Sequence, residues 1–373
     1  MILAKLMFSE VSDIEWDENI ELIDEATHLS ASFMLNYFDK FDNVIDNHSF
    51  LVINEHKAPM AVCSIGLSEI SKTREISFNG TPCAVISITR NVTPSERRKI
   101  INFSYVEIFK YAINNNVEII RMLRHPLNII SSKQNKISAE YMFENIKYNF
   151  MYSVDNTLIV DLRTEEDVLL QNVNKYTRQK FRKSLKKGLF VKIYNMEYNS
   201  NQLNLKLEEF RMAHLKASGR ETRPKSTWIS MLEAMEKGNA SMFIAYSDEN
   251  NPVSYLFCGE YKNAAFGWSQ VNVEQYEKEF SPRHILEWEA ILYYKRNGFS
   301  FYEIGERFYE TQMFHRSTDK EQSISEFKEK YGTIIYPKIH WTSFIDKETL
   351  NVYLDNNVNE FKNSNNLFKM EIE

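Results

Sequence analysis

The chain has 373 residues, of which 43% are hydrophobic and 26% charged, and its formal net charge is −6. At about 100–200 residues per domain this is room for two domains with buried cores, which excludes a disordered chain. Ten glycines and eight prolines exclude collagen-like and low-complexity classes, and the acidic balance excludes a generic nucleic-acid binder, which would carry a basic excess.

The N-terminus, MILAKLMFSEVSD, has an apolar stretch too short for a secretion signal and no small-residue cleavage site. No run approaches about 18 apolar residues, so no membrane insertion is expected. Cys63, Cys83 and Cys258 are odd in number and widely spaced, each within an apolar, strand-like run. They predict buried reduced thiols in a soluble cytoplasmic protein, with no disulfide framework and no metal site.

Ile20–Tyr37 reads as helical. From Ser49 the chain then reads strand, polar turn, strand, strand, helix and strand, ending on VEIIRM. The same order starts again at Ser241, with SMFIAYSDENNPVSYLFCGEY, KNAAFGWSQV, SPRHILEWEAILYYKRNG and FSFYEIG. Two copies about 190 residues apart are too far separated for a solenoid and predict a duplicated mixed α/β domain. Between the copies, Thr164–Lys187, Asn204–Ser218 and Ser226–Glu236 read as helices, stopped by Gly188, Gly219 and Gly238. Ser323–Lys330 reads as helix, TIIYPKIHWTSF as strand and the Asn-rich tail from Asp355 as partly frayed. Residues 1–153 are expected to form the first domain, 154–333 the second, with 334–373 returning to the first.

Four stretches are candidates for chemistry. Lys175–Lys187 holds seven basic residues and no acid, among them Arg178 and Lys183. It is either a solvated helix face or a contact for an anionic ligand, for which Arg supplies a bidentate fork. Arg220 and Arg223 follow the Gly219 stop, in a loop that either grips a charged ligand or joins two helices. Ser281-Pro-Arg-His opens a helix, Ser281 as N-cap and Pro282 in the first turn, with free N–H groups that suit an anion. Thr93-Pro-Ser-Glu-Arg-Arg98 in the first copy is a capping box with acid in the first turn, less suited to one. Tyr302-Glu-Ile-Gly305 ends the last strand of the second copy, and the carboxyl ends of strands face ligands. Glu303 and His284 are the candidate proton acceptors. Walker A, Rossmann GxGxxG, HExxH and GxSxG motifs are all missing, so the pattern suits a transfer catalysed by positioning and modest proton movement.

These strings resemble the Fem-type, tandem-GNAT acyltransferases. KYTRQKFRKSLKKGLFVKIY is similar to their basic helix and strand, AHLKASGRETRPKSTW to their helix–loop stretch, SPRHILEWEAILYYKRNGFSFYEIG to their final helix and strand, and EFKEKYG to their FK-containing motif. The resemblance covers about Thr157–Gly332, and the first half only through the repeat. It implies two GNAT-like domains, each a mixed, mostly antiparallel sheet flanked by helices. It also implies transfer of an acyl group to an amine. Carried over by residue, Arg178 matches the Arg of the basic helix, Lys328 the FK lysine, and Glu303 stands where many members have Asp. The pyrophosphate loop of GNAT enzymes is absent from both halves: Ile88-Thr89-Arg90 and Ser269-Gln270-Val271 lack its glycines. Coenzyme A would therefore bind in an unorthodox way, or the donor is something else.

The leading expectation is transfer from acyl-CoA, as co-substrate, to the amine of a dTDP- or UDP-linked amino sugar for cell-surface glycan such as lipopolysaccharide. Ser281, Arg283, Ser269 and Gln270 would bind the donor. Arg178, Lys183, Arg220, Arg223, Tyr302 and Lys328 would bind the acceptor. The alternatives are an aminoacyl-tRNA-dependent transferase extending a peptidoglycan bridge, and a non-catalytic tandem-GNAT scaffold. DNA is not expected as a partner, nor is membrane insertion.

Overall fold

A computed structural model describes residues 1–127, 144–309 and 317–363. The chain divides into two compact units. The first comprises Met1–Asn156, Glu306–Glu326 and Pro337–Glu373, the second Thr157–Gly305 and Phe327–Tyr336.

The first unit opens with β1 (Leu3–Met7), α1 (Asp13–Glu21) and α2 (Ser32–Phe38). The helix expected over Ile20–Tyr37 is not continuous: it takes in only the last two residues of α1 and most of α2, and residues 22–31 between them are not α-helical, with a 3-10 turn at His28–Ser30. Asp17 explains the new start: its carboxylate accepts from the Ser32 backbone N–H (2.9 Å) and hydroxyl (2.5 Å). Short strands follow: β2 (Val44–Asn47), β3 (Phe50–Asn54), β4 (Pro59–Cys63), β5 (Gly66–Ile70), β6 (Thr73–Ile76), β7 (Cys83–Ala84) and β8 (Ser87–Ile88). Then come α3 (Pro94–Asn114) and β9 (Ile119–Arg124). Thr93 and Glu96 close the start of α3 reciprocally, forming the expected capping box. One sheet has the order β1-β3-β4-β8. In the other, β9 lies beside β6 and β7 in parallel, and antiparallel to residues 339–344 of the late strand β16 (Ile334–Phe344).

The second unit begins in β10 (Met151–Asp161) and continues with α4 (Glu166–Asn172) and α5 (Lys175–Lys186). The single helix expected over Thr164–Lys187 breaks because Val173 is extended and the Asn174 side chain caps α5 by accepting from the Tyr176 N–H (2.9 Å). Next are β11 (Phe190–Tyr194), α6 (Ser200–Ser218), α7 (Lys225–Glu236), β12 (Ala240–Tyr246), β13 (Pro252–Tyr261) and β14 (Ala264–Asn272). Gly219 ends α6 in the left-handed region, as its position predicts. The unit closes with α8 (Glu274–Phe280), α9 (Arg283–Arg296) and β15 (Phe301–Arg307). The sheet order is β11-β12-β13-β14-β15-β10, antiparallel from β11 to β14. Its core gathers Phe181 of α5, Phe243 of β12, Leu256 of β13 and Ile285, Trp288 and Ile291 of α9. The rings of Phe181 and Trp288 stack at 5.5 Å, which fixes the basic helix to α9.

Ser323–Lys330 lies largely within α10 (Asp319–Glu329), and the tail is helical as α11 (Lys347–Asn363). The remainder of the expected frayed tail, 364–373, lies outside the described residues. All three cysteines are buried, and burial pushes the Cys63 and Cys83 thiols up to about 12. Among the described residues no helix is long and apolar enough to cross a membrane, and no cluster of His, Cys, Asp and Glu is placed to hold a metal.

Candidate functional site

In the second unit β14 and β15 run parallel for three registered pairs, Ala264–Phe266 against Phe301–Glu303. Beyond that, β14 continues to Asn272 in register with β13, with a bulge at Phe257/Cys258. The two parallel strands therefore fork at Glu303. Gly267 stands at the fork because a Cβ there would press on the Ile304 carbonyl oxygen, 3.2 Å away.

Glu303 is buried at this point, and its Oε1 lies 2.5 Å from Thr157 Oγ1 on β10. The same hydroxyl is 3.1 Å from the Gly305 carbonyl, but its one proton serves one acceptor at a time, and the carboxylate is nearer. Gly305 has φ +132°, and the Lys328 ammonium occupies the space a side chain would need. Lys328 thus sits beside Gly305, two residues after Glu303, and β15 runs on to Arg307 instead of ending at Gly305 as expected, so Glu303 lies within the strand, at the last residue paired with β14. Tyr302 alternates to the opposite face. It is fully buried and donates to Glu287 Oε2 (3.0 Å).

The start of α9 differs from the expected cap. Pro282 is the cap residue and makes no side-chain cap bond, and Ser281 lies outside the helix with φ +49°. The physical reason is α8, which runs up to Phe280 and forces the chain to reverse at Ser281. Arg283 lays its guanidinium 4.2 Å from the Phe327 ring centre, and its buried Nε has no hydrogen-bond partner. His284 Nδ1 is 3.0 Å from Tyr331 OH. Burial, followed by the charges of Lys180, Arg283 and Lys330, lowers the His284 pKa to about 4. The ring is therefore neutral at pH 7. One turn on, Glu287 is buried, and burial raises its pKa against the pull of Arg283 and Lys328.

On α5, Thr177, Phe181 and Ser184 form the buried stripe, while Lys175, Arg182, Lys183 and Lys186 are exposed. Arg178 Nη1 donates to the Leu170 and Gln171 carbonyls (3.1 and 3.0 Å), closing the end of α4. Arg220 is exposed. Arg223 Nη2 donates to Ser269 Oγ (2.9 Å), and its guanidinium lies 4.9 Å from the Trp228 ring centre. Gln270 Nε2 is buried without a partner. A cavity of about 480 Å³ lies between Ala213, Lys216 and Ala217 of α6 and Asn272–Gln275.

The structure thus gathers Arg283, His284 and Lys328 around Phe327 and Tyr331, joins Arg223 to Ser269, and sets Lys183 on the open face of α5. Lys180 belongs to the basic run of 175–187, whereas Thr157, Glu287 and Tyr331 are not among the residues the sequence singles out. Only Glu287 left a signal, as an acid four residues after Arg283 on an otherwise apolar helix face.

No family model and no curated protein sequence matches the chain. Solved structures do. FemX superposes with a TM-score of 0.67 at 12% identity, covering 95% of this chain and 100% of its own. L-PGS from Bacillus licheniformis gives 0.58 at 11%, covering 92% and 96%. A tandem GNAT protein from the clavulanic acid biosynthesis pathway gives 0.51 at 10%, covering 93% and 99%. The chain has the Fem-like, tandem-GNAT fold.

Proposed function

We propose that the protein is an N-acyltransferase whose activated acyl group arrives on a phosphate-rich carrier, an aminoacyl-tRNA. The observation that carries the reaction is the fork of β14 and β15 with Glu303 at its apex. An acyl carbonyl seated there meets the strand backbone, whose N–H groups stabilise the developing oxyanion. The acceptor amine attacks the carbonyl carbon, the C–N bond forms and the ester C–O bond breaks. The amine proton passes to Glu303, and the leaving alkoxide takes a proton from solvent. Thr157 and Lys328 position the carboxylate, and neutral His284 holds Tyr331 in place.

The choice of carrier rests on two features. After β14 the chain passes directly into α8, which opens on Glu274 where a pyrophosphate would want bare N–H groups. Exposed cations on α5 run from Lys175 to Lys186, about 16 Å at 1.5 Å per residue. That length suits successive phosphates better than one pyrophosphate. A second reading keeps acyl-CoA as donor and a dTDP- or UDP-linked amino sugar as acceptor. It is favoured by the cavity at the end of β14, whose size fits a small-molecule site.

Binding of aminoacyl-tRNA across a salt series separates the two. The expected result is affinity falling linearly with log salt, with the slope reduced by about 1 for each of Lys183→Ala and Lys186→Ala that touches a phosphate. No tRNA binding, together with a melting shift from coenzyme A and a nucleoside diphosphate, would replace the first reading by the second.

A further inference from the structure

At the carboxyl end of β9 the first unit buries four charged side chains. Arg97 of α3 donates to both Glu25 oxygens (2.7 and 3.4 Å) and both Glu144 oxygens (3.2 and 2.8 Å). The second cation is Arg124, the last residue of β9, which is 1% exposed. Its Nη2 stands 3.6 Å from Glu144 Oε1, too far for a hydrogen bond, and Nε, Nη1 and Nη2 all lack hydrogen-bond partners. Beside Glu144, the Asn145 amide nitrogen is likewise buried without an acceptor. These orphaned atoms are all donors, so the missing group is an acceptor. The nearby carboxylates do not supply it: both are drawn to Arg97, and Glu144 Oε1 stays 3.6 Å from Arg124 Nη2, beyond hydrogen-bond reach. Unpaired buried donors on a charged group are among the costliest polar defects a fold can carry, and they call for a partner outside the chain.

We propose that Arg124 and Asn145 form a buried subsite for a small oxyanion, a carboxylate or phosphate whose paired oxygens take the guanidinium fork. The subsite stands independently of the acyl-transfer reading. With Glu25 and Glu144 ionised, the four side chains are neutral together, so an entering anion is accommodated best with a proton. Glu144 is the group that takes it: burial raises its pKa and Glu25 adds to the effect, while Arg97 and Arg124 oppose it. Tyr105 and Tyr148 are the other titratable groups facing it. The oxyanion therefore binds more tightly as pH falls.

The test is the melting temperature of the full chain in phosphate and in acetate, each against chloride at equal ionic strength, at pH 6 and pH 8. A rise of about 5 °C is expected at a hundredfold excess over Kd, larger at pH 6 and absent from Arg124→Leu. The acetate and phosphate arms identify which oxyanion the subsite takes. If Arg124→Leu fails to fold, Arg124→Lys and Asn145→Ala must each weaken the apparent affinity at least fivefold. A wild-type response no greater than that to chloride, or variants that respond like the wild type, would overturn the proposal and leave buried water as the partner.

Discussion

Each unit opens a parallel strand pair beside the helix that follows it, and the two openings are filled differently. In the first unit, Cys83–Ala84 pairs with Met122–Leu123 of β9, and the chain then crosses to β4 at Ser87–Ile88. A side chain of the protein occupies this opening: Glu25 Oε2 accepts from the Ile88 N–H (3.2 Å), and Arg97 ties the same carboxylate to α3. The capping box closes the start of α3. In the second unit, α9 starts with no side-chain cap, and Lys180, Arg283, Lys328 and Lys330 supply positive charge around it. One architecture thus carries a fork plugged by its own carboxylate and a fork edged by cations.

The contrast can be broken in three places. Glu303→Gln keeps the Thr157 contact but removes the proton acceptor, so acyl transfer should fall about 10²–10⁴-fold with little change in stability. Transfer within threefold of the wild type would take the base role from Glu303. Glu25→Ala strips one carboxylate from buried Arg97 and should cost about 3–5 kcal/mol in denaturant unfolding. A loss below about 1 kcal/mol would mean that the ion network does not hold the first fork closed. The smallest effect is pH-dependent. Below pH 6.5 the unfolded chain takes up a proton that folded His284 refuses until about pH 4. Stability at His284 is therefore lost as pH falls through that window, by up to about 3 kcal/mol. His284→Phe should flatten the stability curve between pH 6.5 and 4, and an unchanged curve would place His284 in a wetter setting.

Much of the second unit was legible in its sequence. Gly219 and Gly238 mark the ends of α6 and α7 because only a left-handed residue closes those helices cheaply. The alternating apolar runs of β12 to β14 and the helical spacing of Ile285, Trp288 and Ile291 give the strand–helix order. The break at Asn174 was missed because the apolar spacing continues across it, and the cap that divides α4 from α5 is a single side-chain bond. Ser281 has the residue type and spacing of a cap but is not one, because nothing local reveals that α8 fills the preceding residues.

The sequence by itself determined the duplicated mixed α/β order, the basic character of α5 and the placing of Glu303 on the last strand of the second copy, since all three depend on residue type and short-range period. Tertiary structure alone decided which strand N–H Glu25 occupies, that Tyr302 turns to the core and finds Glu287, and that Arg124 is buried with its donors unmatched. Glu25 and Ile88 are 63 positions apart, and Thr157 and Glu303 are 146 apart, and no local pattern encodes which distant partner will satisfy a buried charge or hydroxyl.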